Sequence, residues 1–112
     1  MKWKAAPPEL VRTFEEVVEG LPSAQLRKMF GYPAAFVNGN MLGGLFQDSM
    51  MLRLSSTDLA TFQADAGARL FEPIPGRVMR QYAVVPRAIL ASKPALRTWV
   101  GKALAKAKRK RA

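Results

Sequence analysis

The sequence predicts an α+β domain: an antiparallel β-sheet of about six strands, a β-meander first, covered by an N-terminal helix, a middle helix and C-terminal helices. Residues 27–54 hold short apolar or alternating runs separated by turn-forming residues. Among those turns, Asn38-Gly39 suits the type I′ turn of a two-residue β-hairpin, because both central residues need a positive φ. Amphipathic helical patterns flank this region. The chain of 112 residues is expected to form one domain with its own core.

The first helix is predicted to begin at the paired prolines Pro7 and Pro8. Proline fits the first turn of a helix, and the carboxylate of Glu9 complements the positive end of the helix dipole. Apolar residues recur at helical spacing with glutamates on the opposite face, so this helix is expected to pack on the sheet. The apolar stripe comprises Leu10, Phe14, Val17, Val18 and Leu21. Gly20 and Pro22 are expected to end the helix.

Four strands are predicted next, over residues 23–30, 34–37, 41–46 and 50–54. The last of them alternates most clearly, with Met50, Leu52 and Leu54 on one side and Met51 and Arg53 on the other. The two faces of the sheet therefore differ in this strand.

Two glycine-containing stretches lie within this meander. Gly31-Tyr32-Pro33 is predicted to connect the first and second strands. Gly43-Gly44 is the stretch most similar to a glycine-rich phosphate loop, but it lacks the Lys-Ser/Thr of a P-loop and no helix follows it directly. A β-bulge or a close approach of neighbouring strands is therefore predicted at Gly43-Gly44.

The middle helix has clear signals at both ends. Residues 55–58 (Ser-Ser-Thr-Asp) supply N-cap candidates, and Gly67 suits the position after the last helical turn. Two further strands are predicted over residues 69–72 and 78–84, joined by a Pro-Ile-Pro-Gly turn.

The C-terminal part is predicted to be helical. Pro86 is expected to open a short helical turn that reaches Ala91, and Ser92 is the predicted N-cap of the last helix, with Pro94 in its first turn. The apolar stripe of this last helix comprises Leu96, Trp99, Val100, Ala103, Leu104 and Ala107. The turns from Lys106 onward are expected to fray into solvent.

The net charge of +10 is unevenly distributed along the chain. Residues 1–72 hold all eight acidic residues and seven of the basic ones, whereas residues 73–112 hold eleven basic residues and no acidic one. Such an asymmetry between the two parts of a chain indicates a polyanionic partner.

Composition argues against most kinds of catalysis. The chain has no histidine and no cysteine, which excludes Ser-His-Asp and Cys-His catalysis and thiolate metal sites. The carboxylates form no pattern typical of a positioned acid/base pair. We therefore predict a non-enzymatic protein without a cofactor. No apolar run is long enough to span a bilayer and no secretory signal is present, so a cytoplasmic location is predicted.

The basic C-terminal segment is the candidate site. Each lysine or arginine that neutralises a phosphate releases a counterion, so this segment is expected to bind nucleic-acid backbone without reading the base sequence. The candidate residues are Lys102, Lys106, Lys108, Arg109, Lys110 and Arg111, with Arg97 assisting. The alternative is a protein–protein interaction module whose basic tail only improves solubility. Membrane binding by this helix is not expected, because its apolar stripe is needed to cover the sheet.

Five methionines at strand spacing allow two interpretations. Met29, Met41, Met50, Met51 and Met79 are expected to lie in the core, since methionine packs readily there. Those that face the second side of the sheet would support a homodimer or a regulatory protein partner if no helix covers that side.

An ordered series of motifs resembles the N-terminal domain of the TfoX/Sxy family of competence regulators. The motifs are Lys28-Met29-Phe30-Gly31, Val37-Asn38-Gly39-Asn40-Met41, Leu52-Arg53-Leu54, Ala66-Gly67-Ala68 and Phe71-Glu72, followed by Val85-Pro86 and Trp99. Tyr32-Pro33 stands where the family usually has a second glycine. The resemblance covers residues 9–107 and implies a non-enzymatic α+β domain associated with transcription regulation of bacterial DNA uptake.

The chain is expected to divide into two parts. Residues 1–105 are expected to form the domain similar to the TfoX N-terminal domain, and residues 106–112 a basic C-terminal tail. Full-length regulators of this kind carry a second domain similar to a helix-hairpin-helix module, for which 112 residues leave no room.

Overall fold

The computed structural model describes residues 5–29 and 31–109, which fold into four helices and six strands. The elements are α1 (Pro8–Glu19), β1 (Gln25–Met29), β2 (Tyr32–Val37), β3 (Asn40–Phe46), β4 (Ser49–Arg53), α2 (Ser56–Ala66), β5 (Arg69–Ile74), β6 (Arg77–Val84), α3 (Arg87–Leu90) and α4 (Lys93–Arg109). The predicted order of one helix, four strands, one helix, two strands and terminal helices is confirmed. Among the described residues, no helix combines the length and the apolar composition needed to cross a bilayer.

The strands form one antiparallel sheet in the order β1-β2-β3-β4-β6-β5. The first four strands are a meander, as predicted. Asn38 and Gly39 join β2 to β3 with φ values of 53° and 80°, which is the type I′ geometry that the sequence predicts. Helix α2 then carries the chain to the far edge, where β5 forms, and β6 returns to pair with β4.

Gly43 lies where two neighbouring strands approach closely. Ala35 pairs with Gly43 but Phe36 pairs with Met41, so the register shifts and Leu42 is the extra residue in β3. A Cβ atom added to Gly43 would lie 2.5 Å from the backbone oxygen of Met51. The predicted bulge and close approach are both present.

The helices share a single core with one face of the sheet. Helix α4 packs across β2, β3 and β4, and the largest fully buried side chains include Phe14 of α1, Phe62 of α2 and Leu96 of α4. The core strand residues, such as Leu52 and Ala83, alternate with residues that point away from the helices. The other side of the sheet is therefore a distinct surface, which we call the open face.

The middle helix has the two ends that its sequence predicts. The Ser55 hydroxyl oxygen accepts a hydrogen bond from the Asp58 backbone N–H at 3.1 Å. At the other end Gly67 has φ 69°, in the left-handed region, and its N–H donates to the Gln63 carbonyl.

Two expectations are corrected. Tyr32 and Pro33 lie within β2 rather than in the preceding connection; Tyr32 is 4% exposed, and its ring centroid lies 5.5 Å from that of Phe46, so side-chain packing draws this segment into the sheet. The fraying expected from Lys106 onward does not occur through Arg109, because α4 is continuous there and Ala107 is buried in the core. Lys110 and Arg111 lie outside the described residues.

Candidate functional site

Helix α4 carries most of the predicted site residues. Its first turn is capped by Ser92, whose hydroxyl oxygen accepts a hydrogen bond from the Ala95 N–H at 3.4 Å. Four of its residues are buried against the sheet and define its inner face, namely Leu96, Val100, Ala103 and Ala107. The basic side chains are consequently distributed over the remaining surface of the helix.

The predicted cations form two groups on the remaining surface of α4. Lys102, Lys106 and Arg109 follow one another at intervals of four and three residues, so they share one flank of α4. We call this the basic flank. Arg97 and Lys108 lie on the other flank, about 16 Å apart along the helix axis at 1.5 Å per residue. The structure therefore brings three of the five described candidates together.

Lys102 contacts the neighbouring helix α2 and an aromatic ring of its own helix. Its Nζ lies 3.9 Å from Oδ1 of Asp58 in α2 and 5.5 Å from the ring centroid of Trp99. The Trp99 ring in turn stacks on Phe62 with centroids 4.1 Å apart. A partly exposed ion pair of this kind contributes little stability, so Lys102 can exchange its carboxylate partner for another anion.

The C-terminal end of α4 is attached to the β2–β3 hairpin. Asn40, which directly follows the Asn38-Gly39 turn, is 8% exposed and donates from Nδ2 to the carbonyl of Ala107 at 3.1 Å. Because both groups are buried, this bond acts together with the packing of Ala107 to hold the last turns of α4 against the sheet. The sequence identifies Asn40 as a turn neighbour only; its contact with a residue 67 positions away depends on the tertiary fold.

We expect Asn40→Ala to lower the free energy of unfolding by about 1–3 kcal/mol, because it leaves the buried Ala107 carbonyl without its partner. Urea denaturation followed by circular dichroism measures this change. Thr98→Ala is the control, since the Thr98 hydroxyl bonds to the Pro94 carbonyl on the exposed side of the same helix, and its effect is expected to stay within about 0.5 kcal/mol. Equal losses in the two variants would contradict this role of Asn40.

The open face is a second candidate surface. Of the five methionines, Met50 is in the core as expected, whereas the core assignment is wrong for Met29 and Met79, which are 38% and 43% exposed. Both point away from the helices, together with the half-buried Met41 and Met51. The sequence indicates this surface in β4, where Met51 and Arg53 alternate with residues of the core.

A family model described as the TfoX N-terminal domain matches residues 16–107. The chain belongs to the TfoX N-terminal domain family. This family is a regulatory and binding family, so the chain is a competence-regulator-like domain. A search of curated proteins finds no match.

The match to the TfoX N-terminal domain covers the whole sheet and most of α4. It includes Lys102 and Lys106 of the basic flank and ends at Ala107, so Lys108 and Arg109 lie beyond it. Within residues 5–29 and 31–109, no group of three or more potential ligands among His, Cys, Asp and Glu is arranged to hold a metal ion.

Proposed function

We propose that this TfoX N-terminal domain is a non-enzymatic regulatory domain that contacts the phosphate backbone of nucleic acid through the basic flank of α4. The observation that carries the proposal is the spacing of Lys102, Lys106 and Arg109, each one turn from the next on a rigid helix. Lys108, Lys110 and Arg111 extend the basic run, and Arg97 adds charge on the other flank.

The chemistry of these residues favours backbone contact over base recognition. Lysine is a point charge on a flexible stem and arginine a fork of donors, and both neutralise phosphate with release of counterions. Contacts of this kind orient a protein on nucleic acid and carry no base-sequence information. We therefore expect similar affinity for duplexes of different sequence and a steep dependence on salt.

The test is fluorescence anisotropy with a labelled mixed-sequence DNA duplex at a series of salt concentrations. In the full chain, the combined variant Lys102→Gln, Lys106→Gln and Arg109→Gln is expected to bind more weakly. The slope of log affinity against log salt is expected to fall by about three, one for each phosphate contact removed.

A matched control removes the same charge elsewhere on the surface. Arg12, Arg69 and Arg80 are exposed and lie outside α4, so replacing all three by Gln changes the net charge equally. This control is expected to leave the slope almost unchanged. Equal losses in the two combined variants would show that net charge alone attracts the duplex, and no binding at low salt would remove the nucleic-acid proposal.

The second candidate function is a protein-interaction module whose basic tail only improves solubility. One observation favours it independently of α4: the open face holds exposed methionines and other apolar residues that no described helix covers. Binding of a protein to this surface and binding of nucleic acid to α4 use different residues, so both can occur in one chain.

A further inference from the structure

The open face contains an apolar groove to which all six strands contribute. The groove has a volume of about 300 Å³, and none of its described lining residues belongs to a helix or carries a charge. Four of the lining residues are methionines, namely Met29, Met41, Met51 and Met79. Unbranched methionine side chains adapt their shape to what is bound, so this lining suits apolar side chains of more than one shape.

The groove leaves large apolar side chains in contact with solvent. Ile74 is 58% exposed, and Met79 and Met29 are 43% and 38% exposed. Packed aromatic rings form its floor, with the Phe46 centroid 5.5 Å from both the Tyr32 and the Phe71 centroid. A continuous apolar surface with a rigid floor is typical of an interaction site.

Two arginines flank this groove. Arg53 is only 9% exposed, pairs in register with the groove residue Tyr82, and donates from Nε to Oε1 of Gln81 at 2.8 Å. Arg27 lies over the Phe36 ring at 5.6 Å and pairs with the groove residue Ala34. No carboxylate of the described residues forms an ion pair with either arginine.

The acidic residues of the chain are mostly elsewhere. Six of the eight lie on α1 and α2, and Glu72 of β5 accepts a hydrogen bond from the Gly76 N–H in the β5–β6 turn. A nearly buried guanidinium beside an apolar groove is stabilised when an anion approaches it. Burial raises the pKa of the neighbouring Tyr82 phenol, and the positive charge of Arg53 opposes that rise.

We propose that the open face binds an acidic amphipathic segment of a partner protein, with apolar side chains in the methionine groove and carboxylates at Arg27 and Arg53. Charge complementarity selects this occupant over a second copy of the chain. A two-fold interface would bring the open-face arginines of two chains, each of net charge +10, to the same surface. The proposal does not depend on nucleic-acid binding by α4.

The probe is a fluorescein-labelled peptide in which Leu and Phe are interspersed with Asp and Glu. Two comparison peptides have the acidic residues replaced by Lys or the apolar residues replaced by Ser. Anisotropy titration of the full chain at low ionic strength is expected to show binding of the acidic amphipathic peptide, with each comparison peptide at least about tenfold weaker. Equal binding of the Lys-containing peptide would overturn the charge assignment. Equal binding of the Ser-containing peptide would overturn the assignment of the groove as the binding site.

Ile74→Glu tests the groove without disturbing the core, because Ile74 is more than half exposed. It is expected to weaken binding of the acidic amphipathic peptide at least about tenfold, since it puts a carboxylate into the apolar site. Val78→Glu is the matched control: Val78 is 44% exposed in the same hairpin and is not among the groove residues. It introduces the same charge and is expected to change the affinity less than about threefold.

Arg27→Glu and Arg12→Glu form a second matched pair. Both arginines are exposed, but Arg12 lies on α1, in the helix layer. The peptide is expected to lose affinity with Arg27→Glu and to keep it with Arg12→Glu. Circular dichroism and thermal melting verify that each variant is folded.

Further results with these variants would also overturn the proposal. Equal affinity losses in Ile74→Glu and Val78→Glu, or in Arg27→Glu and Arg12→Glu, would mean that the peptide responds to overall charge. A wild-type dimer in analytical ultracentrifugation that Ile74→Glu converts to a monomer would make a second copy the occupant of the open face.

Discussion

Replacing Gly43 by alanine is expected to lower the free energy of unfolding by about 3 kcal/mol, which is large for the addition of one methyl group. The new Cβ would lie 2.5 Å from the Met51 backbone oxygen and 3.0 Å from the Leu52 Cδ2 atom. The oxygen belongs to the paired strand β4 and cannot move without separating β3 from β4. Urea denaturation followed by circular dichroism gives the free energy directly.

Gly101→Ala is the matched control for that substitution. Gly101 lies inside α4, and a Cβ atom added there meets nothing within 4 Å. Alanine favours the helix over glycine, so this variant is expected to gain about 0.5–1 kcal/mol. The same chemical change therefore has opposite signs at the two sites. A Gly43→Ala protein as stable as the wild type would show that β3 and β4 can move apart at that point.

Phe62→Ala is expected to lower the free energy of unfolding by about 3–5 kcal/mol. Phe62 is fully buried, and its ring stacks on Trp99, which itself lies beside Lys102. The substitution leaves a cavity between α2 and α4 and removes an aromatic contact. Urea denaturation measures the loss, and the fluorescence of Trp99 is expected to change because its nearest ring is gone.

Phe36→Ala provides the comparison, because Phe36 is half-buried on the open face and contacts Arg27. The number of atoms removed is identical, but the site borders solvent and relaxes more easily, so the expected loss is smaller. Similar losses in the two variants would mean that the contact between α2 and α4 contributes no more than surface packing does.

Local signals account for most of the secondary structure. The type I′ turn at Asn38-Gly39, the Ser55 cap and the Gly67 terminator each depend on neighbouring residues alone, and all three appear as predicted. The segment at Tyr32-Pro33 did not follow its local signal. Burial of the Tyr32 ring against Phe46 outweighs the turn preference of Gly-Tyr-Pro, and a pattern of neighbouring residues does not record that contact.

The sequence predicts the two candidate surfaces to different extents. The charge of the C-terminal part was visible from composition, but the separation of Lys102, Lys106 and Arg109 from Arg97 and Lys108 follows from which face of α4 is buried. The spacing of the methionines allows two interpretations, a position in the core or on an uncovered face. The tertiary structure decides between them, because the described helices pack on the same side of the sheet.

The sequence by itself determined the α+β class, the order of the elements, the hairpin turn and the concentration of positive charge after Glu72, since each depends on residue spacing or composition. Only the tertiary structure decided that Asn40 bonds to the end of α4 and that Arg53 adjoins an apolar groove. These features join residues far apart in the chain. Such contacts arise from packing of the whole domain, and local patterns carry no information about them.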